Sequence, residues 1–240
     1  MGRMNYGQYE NVTIKRHNIG IIYEDNHLLV VEKPPNLPTQ ADESGDDDLL
    51  SLLKLYIKEK YQKPGEVYLG LVHRLDRPAG GVMIFARTSK AAARLSEAVR
   101  SRNFDKKYLA VVNGVPSMGL TRLSDYLLKD ESTNIVKVVA NDIKGAQEAI
   151  LEFSLMQSDG RLSLIEVDLF TGRPHQIRVQ LANKGYPLYG DQKYGVDVNK
   201  QRQQLALWST QIGIEHPIKK ERMVFHSLPP KVEPWERFRL

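Results

Sequence analysis

Asp76 is the residue of this chain best placed for chemistry. It stands in Gly70-Leu71-Val72-His73-Arg74-Leu75-Asp76-Arg77-Pro78-Ala79-Gly80-Gly81, between two arginines and ahead of a proline and a glycine pair. The apolar run Val82-Met83-Ile84-Phe85-Ala86 follows. The pattern predicts a strand, a rigid polar turn and a second strand. Such a turn can hold a lone carboxylate at a cleft edge, where it can act as nucleophile or base. An arbitrary aspartate before Pro-x-Gly usually just caps its own turn. Here Arg74 and Arg77 change the balance, because nearby cations favour the ionised carboxylate, which is the form a nucleophile needs.

Three more segments bear on the chemistry. Phe170-Thr171-Gly172-Arg173-Pro174-His175-Gln176-Ile177-Arg178 reads as a strand end feeding a helix, with Pro174 suited to the first helical turn. Backbone N–H groups at that helix start, with Arg173, suit a phosphate or carboxylate; the plainer alternative is a surface helix with a basic first turn. Lys106-Lys107-Tyr108-Leu109-Ala110-Val111 is, taken alone, a strand with a basic lead-in. Gly185-Tyr186-Pro187-Leu188-Tyr189-Gly190-Asp191-Gln192-Lys193-Tyr194-Gly195 is a loop by composition.

The elements that must position these residues follow from periodicity. Gly20–Tyr23 and Leu28–Val31 read as a hairpin, closed by Pro34, Pro35 and Pro38. Leu49, Leu52, Leu53, Tyr56 and Ile57 fall at helical spacing after Asp48 and before Pro64-Gly65. Thr88 can cap a helix running to about Arg102, with Ala92, Leu95 and Val99 inward. Strands are expected at 108–112, 135–140, 149–156 and 165–169, and a helix from Pro174 to near Gly185. Helices interrupt strands irregularly. This predicts an α+β fold with a mixed, mainly antiparallel central sheet and flanking helices and loops.

Composition narrows the class. With 240 residues the chain is long enough for a sizeable core. It has no cysteine, which excludes disulfides, thiolate zinc sites and a cysteine nucleophile. The net charge of +5 is compatible with a nucleic-acid partner. The basic run Arg94, Arg100, Arg102, Lys106 and Lys107 offers phosphate contacts or, more simply, a solvated helix face. The acidic run Asp42, Glu43, Asp46, Asp47 and Asp48 reads as a solvated loop entering a helix. No segment approaches the roughly 20 apolar residues of a membrane span, and no signal-peptide core opens the chain. A cytoplasmic protein is expected, with no membrane partner and a monomer as the simplest assembly. Neither a Gly-x-x-x-x-Gly-Lys-Ser/Thr loop nor a His-Glu-x-x-His pair occurs, so no cofactor and no metal are expected.

The four segments, in their order along the chain, resemble the motifs of the RluA-type pseudouridine synthases. His73-Arg74-Leu75-Asp76 matches the family's His-Arg-Leu-Asp, and Gly185 to Gly195 matches its Gly-x-Pro-x-x-Gly-Asp-x-x-Tyr-Gly. The opening, Tyr23-Glu24-Asp25 through Lys33-Pro34, is also similar, and the likeness spans about residues 20 to 230. It implies a single catalytic domain over 19–240 after an extension over 1–18, without a separate N-terminal RNA-binding domain. It also implies isomerisation of uridine to pseudouridine in ribosomal or transfer RNA, with no cofactor. Asp76 would act on the nucleoside, either attacking carbon or abstracting a ribose proton. Tyr108 would stack on the uracil, and Arg178 would pair with the aspartate. Arg74 would fill the space of the flipped nucleotide, and Arg173, Lys106 and Lys107 would contact RNA. Three positions depart from the family pattern: Asn36 for glycine, Gly80 for a serine whose hydroxyl can brace the Asp76 turn, and Trp208 for histidine. The sequence offers no account of Trp208.

Two rival readings are open. A catalytically silent RNA-binding relative is compatible with Gly80. A glycoside hydrolase would need a second carboxylate, for which Glu166 and Asp168 are candidates.

Overall fold

The computed structural model describes residues 10–240; residues 1–9, half of the expected extension, lie outside the described residues. The fold is α+β, with three α-helices among the described residues and a mixed, mainly antiparallel sheet. The chain forms two compact units, one of residues up to 105 with 209–227, the other of 106–208 with 228–240.

The first unit holds β1 (Glu10–Ile14), β2 (His17–Glu24), β3 (Leu28–Lys33), α1 (Leu49–Lys60), β4 (Gly70–Leu71), β5 (Gly80–Ala86) and α2 (Ser89–Arg100). The expected hairpin is β2–β3, and β5 continues the antiparallel order beside β3, with Lys33 opposite Gly81. β1 was not expected; it is a short edge strand that pairs β2 from within the stretch read as an extension. α1 begins where Asp48 accepts a hydrogen bond from the Ser51 N–H at 3.0 Å, and it buries all five apolar residues of the expected face. Thr88 caps α2 through the Ala91 N–H. Ala91 and Leu95 are buried there, with Ala92 and Val99 partly so, against Val30, Val82, Ile84 and Ile212.

The second unit holds β6 (Asp105–Asn113) from its second residue on, β7 (Leu120–Asp130), β8 (Ile135–Val139), β9 (Gln147–Ser158), β10 (Leu162–Leu169) and α3 (Gln176–Asn183). Its antiparallel order is β6-β10-β9-β7-β8. β7 was not anticipated, because Leu120-Thr-Arg-Leu-Ser-Asp-Tyr carries too much polarity on its solvent face to alternate cleanly. Two further strands escaped the periodicity as well: β11 (Leu207–Glu215), which passes into the first unit after Trp208, and β12 (Arg222–His226), which pairs with it. Trp208, the departure without an account in the sequence, fills an apolar cluster with Leu109, Leu164, Trp235 and Phe238.

α3 starts later than its proline suggests. Gln176 N–H donates to the Arg173 carbonyl, so Pro174 and His175 are the central residues of a turn ahead of the helix. His175 has φ 52°. Proline followed by a left-handed residue makes this a type II turn. The Gln176 side chain locks it, accepting from Thr171 Oγ1 at 2.8 Å and from the Arg173 N–H at 3.1 Å.

Candidate active site

In the first unit, Asp76 opens a turn closed by the Ala79 N–H donating to the Asp76 carbonyl at 3.0 Å. Leu75 and Ala79 are buried on either side, and Asp76 is half-buried. The Leu75 carbonyl accepts from Thr39 Oγ1 at 2.9 Å. The turn is thus fixed by its own backbone and by the segment after β3. Gly81, just beyond, has φ +112°, and a Cβ there would stand 2.6 Å from the Ser209 nitrogen and closer to its carbonyl oxygen. Only glycine satisfies both constraints. Asn36, which replaces the family's glycine, has φ 65°. Asparagine is among the few residues that take the left-handed region readily, so the substitution keeps the backbone path.

The two arginines beside Asp76 behave differently. Arg77 turns its guanidinium to the acidic loop, bonding Asp46 and Ser44 and lying 4.0 Å from Asp42. The acidic run is therefore not simply solvated: Asp42 and Asp46 engage Arg77, Asp47 meets Lys15 and His17, and Asp48 caps α1. Arg74 is exposed and makes no hydrogen bond or ion pair among the described residues. His73 is turned to structural use: its Nε2 accepts from the Ile84 N–H at 3.0 Å and its ring packs on Phe104.

In the second unit, strand alternation sorts the β6 candidates onto two faces. Lys107 and Leu109 stand opposite Asp168 and Glu166 of β10. Lys107 Nζ donates to Glu166 at 3.0 Å and to Asp168 at 3.2 Å. Burial alone would lower its pKa, but these two carboxylates raise it above the usual lysine value. Lys107 is therefore neutralised within the protein, and Glu166 and Asp168 are bound to it. The alternate face carries Lys106 and the buried Tyr108, which is opposite Val167. No protein group bonds or pairs with Lys106 among the described residues. Burial and the neighbouring Arg173 charge lower its pKa to about 8. Arg173 is itself held by its Nε–H donating to the Glu148 carbonyl at 2.8 Å.

Arg178, in the first turn of α3, is buried and meets Asp191 in a two-point pair, Nε to Oδ2 and Nη2 to Oδ1, both at 2.8 Å. Burial acts to raise the Asp191 carboxyl, but the Arg178 bonds and charge outweigh it and leave the pKa below the ordinary carboxylate range. Asp191 Oδ1 also accepts from the Lys193 and Tyr194 N–H groups. The Tyr194 ring lies 5.3 Å from the Arg178 guanidinium carbon. Its hydroxyl accepts from the Val136 N–H at 2.9 Å and bonds His175 Nδ1 at 2.8 Å. The loop after α3 therefore builds the seat of Arg178. Asp191 and Tyr194 stood in the sequence within the matched Gly-Asp-x-x-Tyr segment, without a role of their own.

A family model described as RNA pseudouridylate synthase matches residues 27–183. The uncharacterized RNA pseudouridine synthase YhcT of Bacillus subtilis is 34% identical over 209 residues, covering 86% of this chain and 67% of the relative. Ribosomal large subunit pseudouridine synthase C of Buchnera aphidicola is 34% identical over 215 residues, covering 85% and 65%. The chain thus spans about two thirds of the length of these curated relatives. The solved structure of human RNA Pseudouridylate Synthase Domain Containing 4 shares the fold, with a TM-score of 0.75 at 24% identity over 88% of this chain and 89% of that one.

Proposed function

The chain belongs to the RNA pseudouridylate synthase family, and on that premise we propose that it converts uridines of ribosomal or transfer RNA to pseudouridine. The observation that carries this reading is the Asp76 turn, a half-buried carboxylate on backbone held from both sides, with the exposed Arg74 two residues before it. In the reaction the bond from ribose C1′ to uracil N1 breaks. The detached base rotates, C1′ bonds to C5, and the C5 proton leaves while N1 gains one. Atoms balance without a cofactor.

A stacked or paired nucleotide must first leave its helix, which costs a few kcal/mol. Arg74 takes the vacated space. Tyr108 offers its ring to the uracil, an interaction of about 1–3 kcal/mol. Arg178 is a buried cation of the second unit, seated by its two-point pair with Asp191 and by the Tyr194 ring. Lys106 and Arg173 contact phosphate on the Tyr108 face. Lys107, already neutralised by Glu166 and Asp168, is set aside from that role. The same ion pairs count against a hydrolase, since both candidate second acids are tied to a lysine on the face opposite Tyr108.

The test is incubation of the purified chain with transcribed ribosomal and transfer RNA, followed by chemical detection of pseudouridine. Wild type is expected to form it, while Asp76→Asn binds the same RNA without product. Free uracil released in place of isomerised RNA would contradict the reading.

A further inference from the structure

Asp125 and Gln180 belong to none of the four segments, yet they meet behind the turn that carries Arg173. Asp125 of β7 stands opposite Ala149 of β9. Gln180 of α3 is buried, and its Nε2 donates to Asp125 Oδ2 at 2.6 Å and to the Ala149 carbonyl at 3.2 Å. An ionised carboxylate and a carbonyl only accept, so the Gln180 amide has one orientation. Its Oε1 points the other way and accepts from Gln176 Nε2 at 3.0 Å. That orients Gln176 in turn, whose Oε1 accepts from Thr171 Oγ1 at 2.8 Å and from the Arg173 N–H at 3.1 Å. The far end is pinned independently. The Ile150 N–H donates to Thr171 Oγ1 at 2.8 Å, which leaves the hydroxyl proton for Gln176.

We propose that Asp125 and Gln180 are positioning residues for Arg173, holding its turn through a one-way chain of hydrogen bonds that runs from β7 across α3 to the Arg173 N–H. The inference rests on the reading of Arg173 as an RNA contact given above. The turn needs outside support. Pro174 has no N–H to donate, and His175 takes φ 52°, a conformation that residues other than glycine adopt infrequently. Gln176 holds the Arg173 backbone, and the Glu148 carbonyl of β9 takes up its Nε–H. The two outer nitrogens of the guanidinium then face a phosphate from a fixed base. Thr171, Gln176 and Gln180 are all buried, so a reversed amide cannot turn to water instead. It would set oxygen against oxygen at Asp125 and Ala149, and nitrogen against the Arg173 N–H. Without the Gln180 amide, nothing in the chain prevents that reversal at Gln176. A carboxylate in an RNA-binding unit otherwise only repels the polyanion; the chain gives Asp125 the opposite effect.

The experiment is RNA affinity against salt concentration for the full chain, on an RNA that it modifies. Wild type, Gln180→Leu, Asp125→Ala, Arg173→Gln and Arg173→Gln combined with Gln180→Leu are compared, with thermal unfolding measured on the same preparations. Gln180→Leu is expected to weaken binding by more than about threefold. It is also expected to lower the slope of log affinity against log salt by about 0.7–0.9, one phosphate contact. Arg173→Gln should do the same, and the combined variant should bind no more weakly than Arg173→Gln alone, because the chain acts through that arginine. Asp125→Ala should weaken binding as well, although loss of a negative charge would by itself tighten it. A folded Gln180→Leu that binds within about threefold of wild type overturns the inference. So does a loss of equal size with and without Arg173, the mark of a merely structural role. If Gln180→Leu does not fold, Asp125→Ala decides, with weaker binding supporting the inference and unchanged or tighter binding overturning it. Wild type that modifies no RNA contradicts the proposed function and takes this inference with it. Active wild type with either overturning result contradicts the role of Asp125 and Gln180 alone.

Discussion

A buried guanidinium survives where a carboxylate meets it with two parallel bonds and its remaining surface is covered, as Asp191 and the Tyr194 ring do for Arg178. Removing one partner leaves a buried charge uncompensated. Asp191→Asn is therefore expected to lower unfolding free energy by about 3–5 kcal/mol in urea titrations. The two neighbouring lysines of β6 give a sharper contrast. Lys106→Gln should reduce the slope of log affinity against log salt by about 0.7–0.9, the contribution of one phosphate contact. Lys107→Gln should leave that slope unchanged, since its charge is already answered by Glu166 and Asp168. Only the ammonium form of Lys106 attracts phosphate, and its pKa of about 8 lies within reach of ordinary buffers. RNA affinity should accordingly fall by up to about tenfold between about pH 7 and about pH 9, and Lys106→Gln should remove that part of the dependence.

At the scale of elements, the site depends on backbone that cannot be substituted freely. Gly81→Ala meets both a left-handed φ and the Ser209 backbone, and a cost above about 3 kcal/mol is expected from thermal or urea unfolding. Asp48→Ala, which removes only the cap of α1, should cost about 1 kcal/mol. The same elements show what a sequence can reveal. α1 and α2 were legible because cap, apolar spacing and stop agree, and the β2–β3 hairpin because two apolar runs flank a polar turn. α3 was placed two residues early, because Pro174 signals a turn as well as a helix start and the side-chain bonds of Gln176 decide between them. β7 and β1 were missed because a half-exposed or edge strand need not alternate. Asp76, Tyr108 and Arg178 stood out through their motifs. Asp191 and Tyr194 stood in a matched segment too, but what they hold was not legible, because their bonds to Arg178, His175 and Val136 form only in the folded chain.

Across the whole molecule, each unit has its own apolar cluster. One lies around Val30, Ile84 and Ile212; another is built by Leu109, Leu164 and Trp208 with the C-terminal Trp235 and Phe238. Trp235→Ala should cost about 3–5 kcal/mol. No helix among the described residues is long and apolar enough to cross a membrane. The net charge of +5 accords with an anionic partner. Family membership, the braced Asp76 turn and the unneutralised Lys106 on the Tyr108 face converge on one account, an isomerase of uridine in RNA. Its most direct test is a single-nucleotide map of pseudouridine in cellular RNA with and without this protein. The account predicts that one or a few sites disappear without it, return with wild type, and stay absent with Asp76→Asn. A map that is unchanged by loss of the protein, while the purified chain still binds RNA, would contradict it.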